Sequence, residues 1–507
     1  RLTRVSWQDT TMAKRPNILL IVSDQERQRD WIPDGLTLPN RQRLIDDGLE
    51  FTRHYTHSSP CSPSRATLLT GRFVPQHAVT DNVIMPAHRE LDPSIPTLGH
   101  LLRDAGYRTA YVGKWHLSHS PTPDMESYGF SDWQGNDRHF MGWAGTGMAF
   151  DPPIAQQAAD WLAAHAADAG DDRPWFLVVA LVNPHDVMWF PIDQPEYRAA
   201  HADDVTFVRS LLDSVKWKES DSLPAFTDEY DEVFDELPAN FDDDLFTKPA
   251  VQRQWLYEQQ HGLYGYIDPD DTKSWLRHLD YYWRLHQEGD RNLGAVLDAL
   301  DGSGARDDTA VVYTSDHGDM CGSHGLRSKG PFLYDEIMHV PLYVRVPGVT
   351  QAGTRTNALA SHVDLAATIT AVAGAGAPPA GRDLSGVLAE PSTPGREAVL
   401  FAQDSAWYES CIHLRYAMHG MFDGRHKYAR YYGVGGSFTQ IGEPWPTPKR
   451  VDVDAGFDDF DHELYDLQED PHELVNLAND RGARRRLRAA FDELQALEAD
   501  ELTPSAG

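Results

Sequence analysis

The 507-residue chain is poor in cysteine, and its three, Cys61, Cys321 and Cys411, are odd in number and far apart. That excludes a disulfide framework and fits a reducing compartment. No apolar run has the length of a membrane span, and residues 1–17 lack the apolar core of a signal peptide. Met12-Ala13-Lys14-Arg15-Pro16 reads as a native start, so a cytoplasmic protein is the expectation, with a leader removed upstream as the alternative. Basic residues are few beside acidic ones, 45 Lys and Arg against 77 Asp and Glu, for a formal charge of −32. Nucleic acid and anionic membranes would be repelled over most of such a surface, so neither is expected as a partner and any anion must be captured locally. Much of the acid falls in residues 219–244, which read as a solvated face. Internal repeats and extended low-complexity tracts are absent as well.

What the chain has is enough apolar content, 41%, to bury a large core. Ile18-Leu19-Leu20-Ile21-Val22 is a continuous apolar run, the mark of a parallel strand covered on both faces, and it ends at Ser23-Asp24-Gln25. Ala310-Val311-Val312-Tyr313 ends in the same way, at Ser315-Asp316-His317-Gly318-Asp319. Two further candidate strands, 109–112 and 175–182, lead into Gly113-Lys114-Trp115-His116 and Asn183-Pro184-His185. Helical patterns lie between them at 40–48, 97–106, 154–166 and 276–300, the last broken near Gly289, and another follows at 362–373. The alternation predicts an α/β fold: a large mixed, mostly parallel, doubly wound sheet sandwiched by helices. In such sheets the site lies beyond the carboxyl ends of the strands, where these four polar ends converge. The catalytic domain is expected over residues 13–378, with an insertion at about 186–275 that walls the site or forms the contacts of a homo-oligomer. A small C-terminal α+β subdomain is expected over 379–507.

The most specific stretch is Cys61-Ser62-Pro63-Ser64-Arg65, followed by Ala66-Thr67-Leu68-Leu69-Thr70-Gly71-Arg72. Pro63 suits a first helical position, Ser62 or Ser64 suits a cap, and Gly71 suits a left-handed stop, which places Cys61 beside an anion-favouring helix start. An isolated cysteine is ordinarily a core residue. This one sits in a motif that resembles the sulfatase signature, and the resemblance extends from Pro16-Asn17-Ile18 through Gly113-Lys114-Trp115-His116 and Ser315-Asp316-His317-Gly318 to residues 463–477.

The resemblance implies an alkaline-phosphatase-like fold and hydrolysis of a sulfate monoester. It implies that a formylglycine-generating enzyme oxidises Cys61 to formylglycine, whose hydrate is the nucleophile. Asp24, Gln25, Cys61, Asp316 and His317 are the implied holders of one divalent cation: calcium first, with manganese or magnesium as alternatives. Many members carry a second acid where this chain has Gln25 and Asn where it has His317, so Asp-Gln with Asp-His looks more like the choline-sulfatase and phosphonate-monoester-hydrolase branches. Arg65, Lys114, His116, His185 and Lys329 are the implied sulfate-binding and catalytic residues, with His185 or Lys329 as general acid. Asp319, His324 and Arg327 carry no assigned role.

The substrate is expected to be a small-molecule or saccharide sulfate ester. Walls for its organic part would come from the insertion, from 131–150 with Trp133 and Trp143, and from the region of Trp407 and Tyr408. Two other readings compete: a phosphonate monoester or phosphodiester hydrolase with the same apparatus, and a binding protein in which Cys61 remains a thiol.

Overall fold

The computed structural model describes residues 15–84, 88–119, 125–133, 142, 145–166, 172–200, 232–260, 264–378, 380–405, 415–435 and 449–502. Trp143, Trp407, Tyr408, Cys411 and residues 219–231 of the acidic tract lie outside them. Among the described residues, ten strands fall in the first three quarters of the chain. They are β1 (Asn17–Asp24), β2 (Leu49–Phe51), β3 (His54–Tyr55), β4 (Arg108–Gly113), β5 (Asp132–Trp133), β6 (Trp175–Pro184), β7 (Thr309–Ser315), β8 (Leu342–Arg345), β9 (Thr354–Thr356) and β10 (Ala360–Ser361). Eight of these form one sheet in the order β5-β4-β6-β1-β7-β8-β2-β9. From β5 to β7 every pairing is parallel; β8 alone runs antiparallel to its two neighbours. This is the mixed, mostly parallel sheet that the apolar runs predict.

Strand β1 shows why those runs are continuous. Ile18, Leu20 and Val22 face one core with Leu68, Leu98, Leu102 and Ile369, while Leu19 and Ile21 face a second core with Ile154, Trp161, Leu293 and Leu297. With helices on both faces neither side of the strand meets water, so alternation would bury polar groups.

Two helix expectations need correction. The helix expected at 154–166 begins eight residues earlier, as Thr146–His165, with Pro152 and Pro153 inside it. The long helix runs unbroken as Thr272–Gly302 from the Asp271 cap. Gly294 serves packing: a Cβ there would lie 2.6 Å from the Asn40 amide, and Asp290 accepts the Asn40 and Arg41 amides of the crossing helix Pro39–Asp47.

The C-terminal part adds β11 (Val399–Gln403), β12 (Ala417–Phe422), β13 (His426–Gly435), β14 (Lys449–Val451) and β15 (Asp461–Asp466). All pair antiparallel, in the order β11-β12-β13-β14 with β15 also on β13. Helix Arg484–Glu501 covers one face through Leu487, Phe491 and Leu494. The other face, with Phe401, Met418 and Tyr431, packs on Tyr55, Trp255 and Tyr334 of the catalytic body. Within the insertion, the described residues form short helices at Pro195–Ala200 and Ala250–Glu258.

Candidate active site

The register of the sheet assembles the site. Ser23 pairs with Ser315 across parallel strands, so Asp24 and Asp316 emerge side by side from β1 and β7. On the other edge of β1, Asp24 is level with Pro184, which puts His185 one residue beyond the end of β6. Gly113 ends β4 opposite Ala180 with φ +101°, and a Cβ there would sit 1.9 Å from the Ala180 carbonyl oxygen. Only glycine fits that approach, and the turn it makes aims Lys114 inward.

The signature residues form helix Cys61–Thr70, closed by Gly71 in the left-handed conformation as expected. Its start differs from the expectation: Cys61 is the first helical residue, Pro63 the third, and neither Ser62 nor Ser64 caps. Their hydroxyls instead tie the helix to the strand ends, Ser62 donating to the His116 carbonyl and Ser64 to the Asp316 carbonyl, each at 2.5 Å.

Around the fully buried Cys61 Sγ stand His317 Nε2 at 3.3 Å, Lys329 Nζ at 3.5 Å, Asp24 Oδ1 at 3.7 Å and Lys114 Nζ at 3.9 Å. His116 and His185 both hydrogen-bond the same side chain. Arg65 bridges the two acids, Nη2 donating to Asp24 and Nε to Asp316 at 2.9 Å each, with Nη1 on the Lys114 carbonyl at 3.1 Å. Lys114 adds an ion pair to Asp24 at 2.5 Å. Gln25, at φ 70°, accepts from Lys329 at 2.5 Å through Oε1. The ten residues proposed for catalysis, sulfate binding and the metal are thus in one chamber, whereas Trp133, proposed as a wall, packs on the core beside Tyr111.

Burial would raise the Cys61 thiol, yet Lys114, Lys329 and His317 bring it well below the usual range. Asp24 is likewise desolvated and faces Cys61, but Lys114, His185 and Arg65 hold it as a carboxylate. Asp316 is pushed up, by burial and then by the adjacent Asp24, because one guanidinium is shared between two acids. His185 falls to about 3, through burial and the two ammonium groups, and is therefore a neutral imidazole in this state. The donor set fits a divalent cation: one ligand atom each from Asp24, Cys61, Asp316 and His317 lies within 4.8 Å of the others.

Supporting residues escaped the sequence reading. Asp151 accepts the Val182 and Asn183 amides at 2.6 and 2.9 Å, and Asp186 accepts Gly147 and Met148 at 3.1 Å each. Together they brace the β6 end that carries His185; burial pushes them up to about 8 and about 7. Asp151 beside two prolines carries no motif that would single it out. Of the three residues without a role, His324 pairs with Asp243 at 2.7 Å and Arg327 donates to the Phe190, Gln259 and Gly265 carbonyls at 2.7–3.0 Å. Asp319 reaches Gln25.

Comparison with known proteins agrees with this geometry. The sulfatase family model matches residues 16–375, and a model described as N-sulphoglucosamine sulphohydrolase, C-terminal, matches residues 322–439. An N-acetylglucosamine-6-O-sulfatase of Bacteroides thetaiotaomicron is 26% identical over 92% of this chain and 83% of its own. A choline-sulfatase of Rhizobium meliloti is 26% identical over 96% of this chain and 88% of its own. Among solved structures, a phosphonate monoester hydrolase of Agrobacterium radiobacter shares the fold, with a TM-score of 0.68 at 23% identity, covering 96% of each chain. The chain belongs to the sulfatase family and is a sulfuric ester hydrolase.

Proposed function

We propose that the protein hydrolyses a sulfate monoester, R–O–SO₃⁻, and water to the alcohol and inorganic sulfate, with formylglycine at position 61 and one divalent cation. The reading rests on one observation above all: Cys61, first residue of a helix and fully buried, has two ammonium groups, an arginine-bridged acid pair and three imidazoles directed at it. A formylglycine-generating enzyme would mature the residue before the fold closes over it. Asp24, Gln25, Asp316, His317 and position 61 would hold the cation, which offsets negative charge on the attacking oxygen and on the sulfuryl group. Calcium is the first candidate; the imidazole nitrogen also suits manganese, and magnesium remains an alternative.

Lys114 and Lys329 stabilise the sulfuryl oxygens from two sides, and Arg65 keeps the acid pair aligned. The leaving oxygen needs a proton. Lys329 carries one as an ammonium, whereas His185, neutral here, offers a hydrogen bond to that oxygen. His116 is placed to accept a proton from position 61 as sulfate departs.

The relative named N-acetylglucosamine-6-O-sulfatase supports a saccharide sulfate ester as substrate. A second reading, phosphonate monoester or phosphodiester hydrolysis, draws on Asp24-Gln25 with Asp316-His317 and on the fold shared with a phosphonate monoester hydrolase. Mass spectrometry of the peptide spanning 54–65 should find the aldehyde in place of the thiol, and turnover of an aryl sulfate should exceed that of a phosphonate monoester and a phosphodiester in the same preparation. A thiol in protein from its own host would sink the mechanism, and the reverse order of turnover would select the phosphorus reading.

A further inference from the structure

We infer that Asp319 is a positioning residue that decides which atom of Gln25 faces the metal chamber. The inference rests on the proposed cation at that site. Gln25 lies between two partners of opposite character: its Nε2 donates to Asp319 Oδ2 at 2.5 Å, and its Oε1 accepts from Lys329 Nζ at 2.5 Å. An amide can turn end for end at almost no change in shape, so shape alone does not choose its orientation. Chemistry does. A carboxylate only accepts and an ammonium only donates, so the amide must give its NH₂ to Asp319 and its oxygen to the chamber where Lys329, Cys61 and the metal-holding acids converge.

Asp319 is itself fixed. It is fully buried, and its other oxygen, Oδ1, accepts the Cys321 amide at 2.7 Å. Gln25 is held just as firmly, its own amide donating to Asp316 Oδ1 at 3.0 Å and its carbonyl accepting from the Tyr282 hydroxyl at 2.6 Å. The backbone on each side is therefore set, and the amide plane is the one remaining freedom. A cation accepts Oε1 as a ligand and is repelled by NH₂, so Asp319 makes Gln25 a ligand without touching the ion.

One isosteric change reads this out. In the Asp319→Asn variant the amide oxygen is claimed by the Cys321 N–H, which leaves an NH₂ facing Gln25. Gln25 must then turn its oxygen outward and its own NH₂ toward Lys329 and the cation. Adding Gln25→Glu restores an oxygen on both sides, because a carboxylate accepts from the new NH₂ and still presents an oxygen inward.

The measurement is Mn²⁺ affinity by competition with a chromogenic chelator, with a thermal melt of each protein to show that it is folded. Asp319→Asn should weaken Mn²⁺ binding on the order of 10–100-fold, and Asp319→Asn/Gln25→Glu should return to within about tenfold of the parent. Parental affinity in Asp319→Asn, or no recovery in the double variant, overturns the role given to Asp319. A parent protein that takes up no Mn²⁺, Ca²⁺ or Mg²⁺ overturns the metal reading itself.

Discussion

At the scale of single residues, Arg65 carries the most. Its guanidinium spends one nitrogen on each of two buried acids and a third on a backbone carbonyl, a three-way fork that an ammonium cannot reproduce. Arg65→Lys keeps the charge but cannot span both acids, so that either Asp316 loses its cation or Asp24 is left with Lys114 alone. The expected result is a fall in kcat on the order of 10²-fold or more, with a stability loss of about 3–5 kcal/mol, read from steady-state kinetics and urea unfolding. Cys61, Arg65, Asp24 and Asp316 were legible in the sequence because the motif spells out the chemistry. Asp319 and Gln25 were not legible as a pair, since 294 residues separate them and neither residue type is unusual at a strand end.

At the scale of elements, the strand ends owe their placement to backbone geometry. Gly113→Ala would drive a Cβ against the Ala180 carbonyl on the very turn that aims Lys114. Strand β4 must then part from β6, and we expect a loss of roughly 3 kcal/mol or more, together with lowered kcat, measured by denaturant midpoint and turnover. The insertion is joined to the site by Arg327, whose buried guanidinium donates to the carbonyls of Phe190, in the turn after His185, and of Gln259 and Gly265. Arg327→Leu leaves those carbonyls unpaired at about 1–3 kcal/mol each, and limited proteolysis should then cut near residues 259–265 faster than in the parent. Helix Thr272–Gly302 shows where local reading failed. Gly289 looked like a break because propensity favours one, but the helix runs through it, and at Gly294 the crossing helix Pro39–Asp47 leaves no room for a side chain.

At the scale of the whole molecule, the terminal helix is pinned to the C-terminal sheet by a charge cluster. His419 on β12 meets Glu498 at 2.6 Å and Asp404 at 3.3 Å, and Arg430 also pairs with Glu498, at 2.9 Å. Burial would lower His419, but its hydrogen bonds and the charges of both acids carry it up to about 9. A histidine raised in the folded state stabilises fully below its unfolded value of 6.5, and that contribution disappears as pH climbs through about 9. The melting temperature should therefore fall between pH 6.5 and 9.5, and His419→Gln should flatten that part of the profile. The proposed metal site predicts a second global effect. A cation bound only by the folded protein adds about 2.7 kcal/mol at one hundred times its Kd, so chelator dialysis should lower the melting temperature and the divalent ion should restore it.

The sequence by itself determined the central strands β1, β4, β6 and β7, the left-handed stop of the signature helix and the chemical class, because apolar runs, glycine conformation and a reactive cysteine motif are properties of neighbouring residues. Only the tertiary structure decided which buried acids share Arg65, which way the Gln25 amide faces and what holds the end of β6. Those depend on groups brought together from opposite ends of the chain into a dry interior, where charge and hydrogen-bond direction count for far more than they do in water.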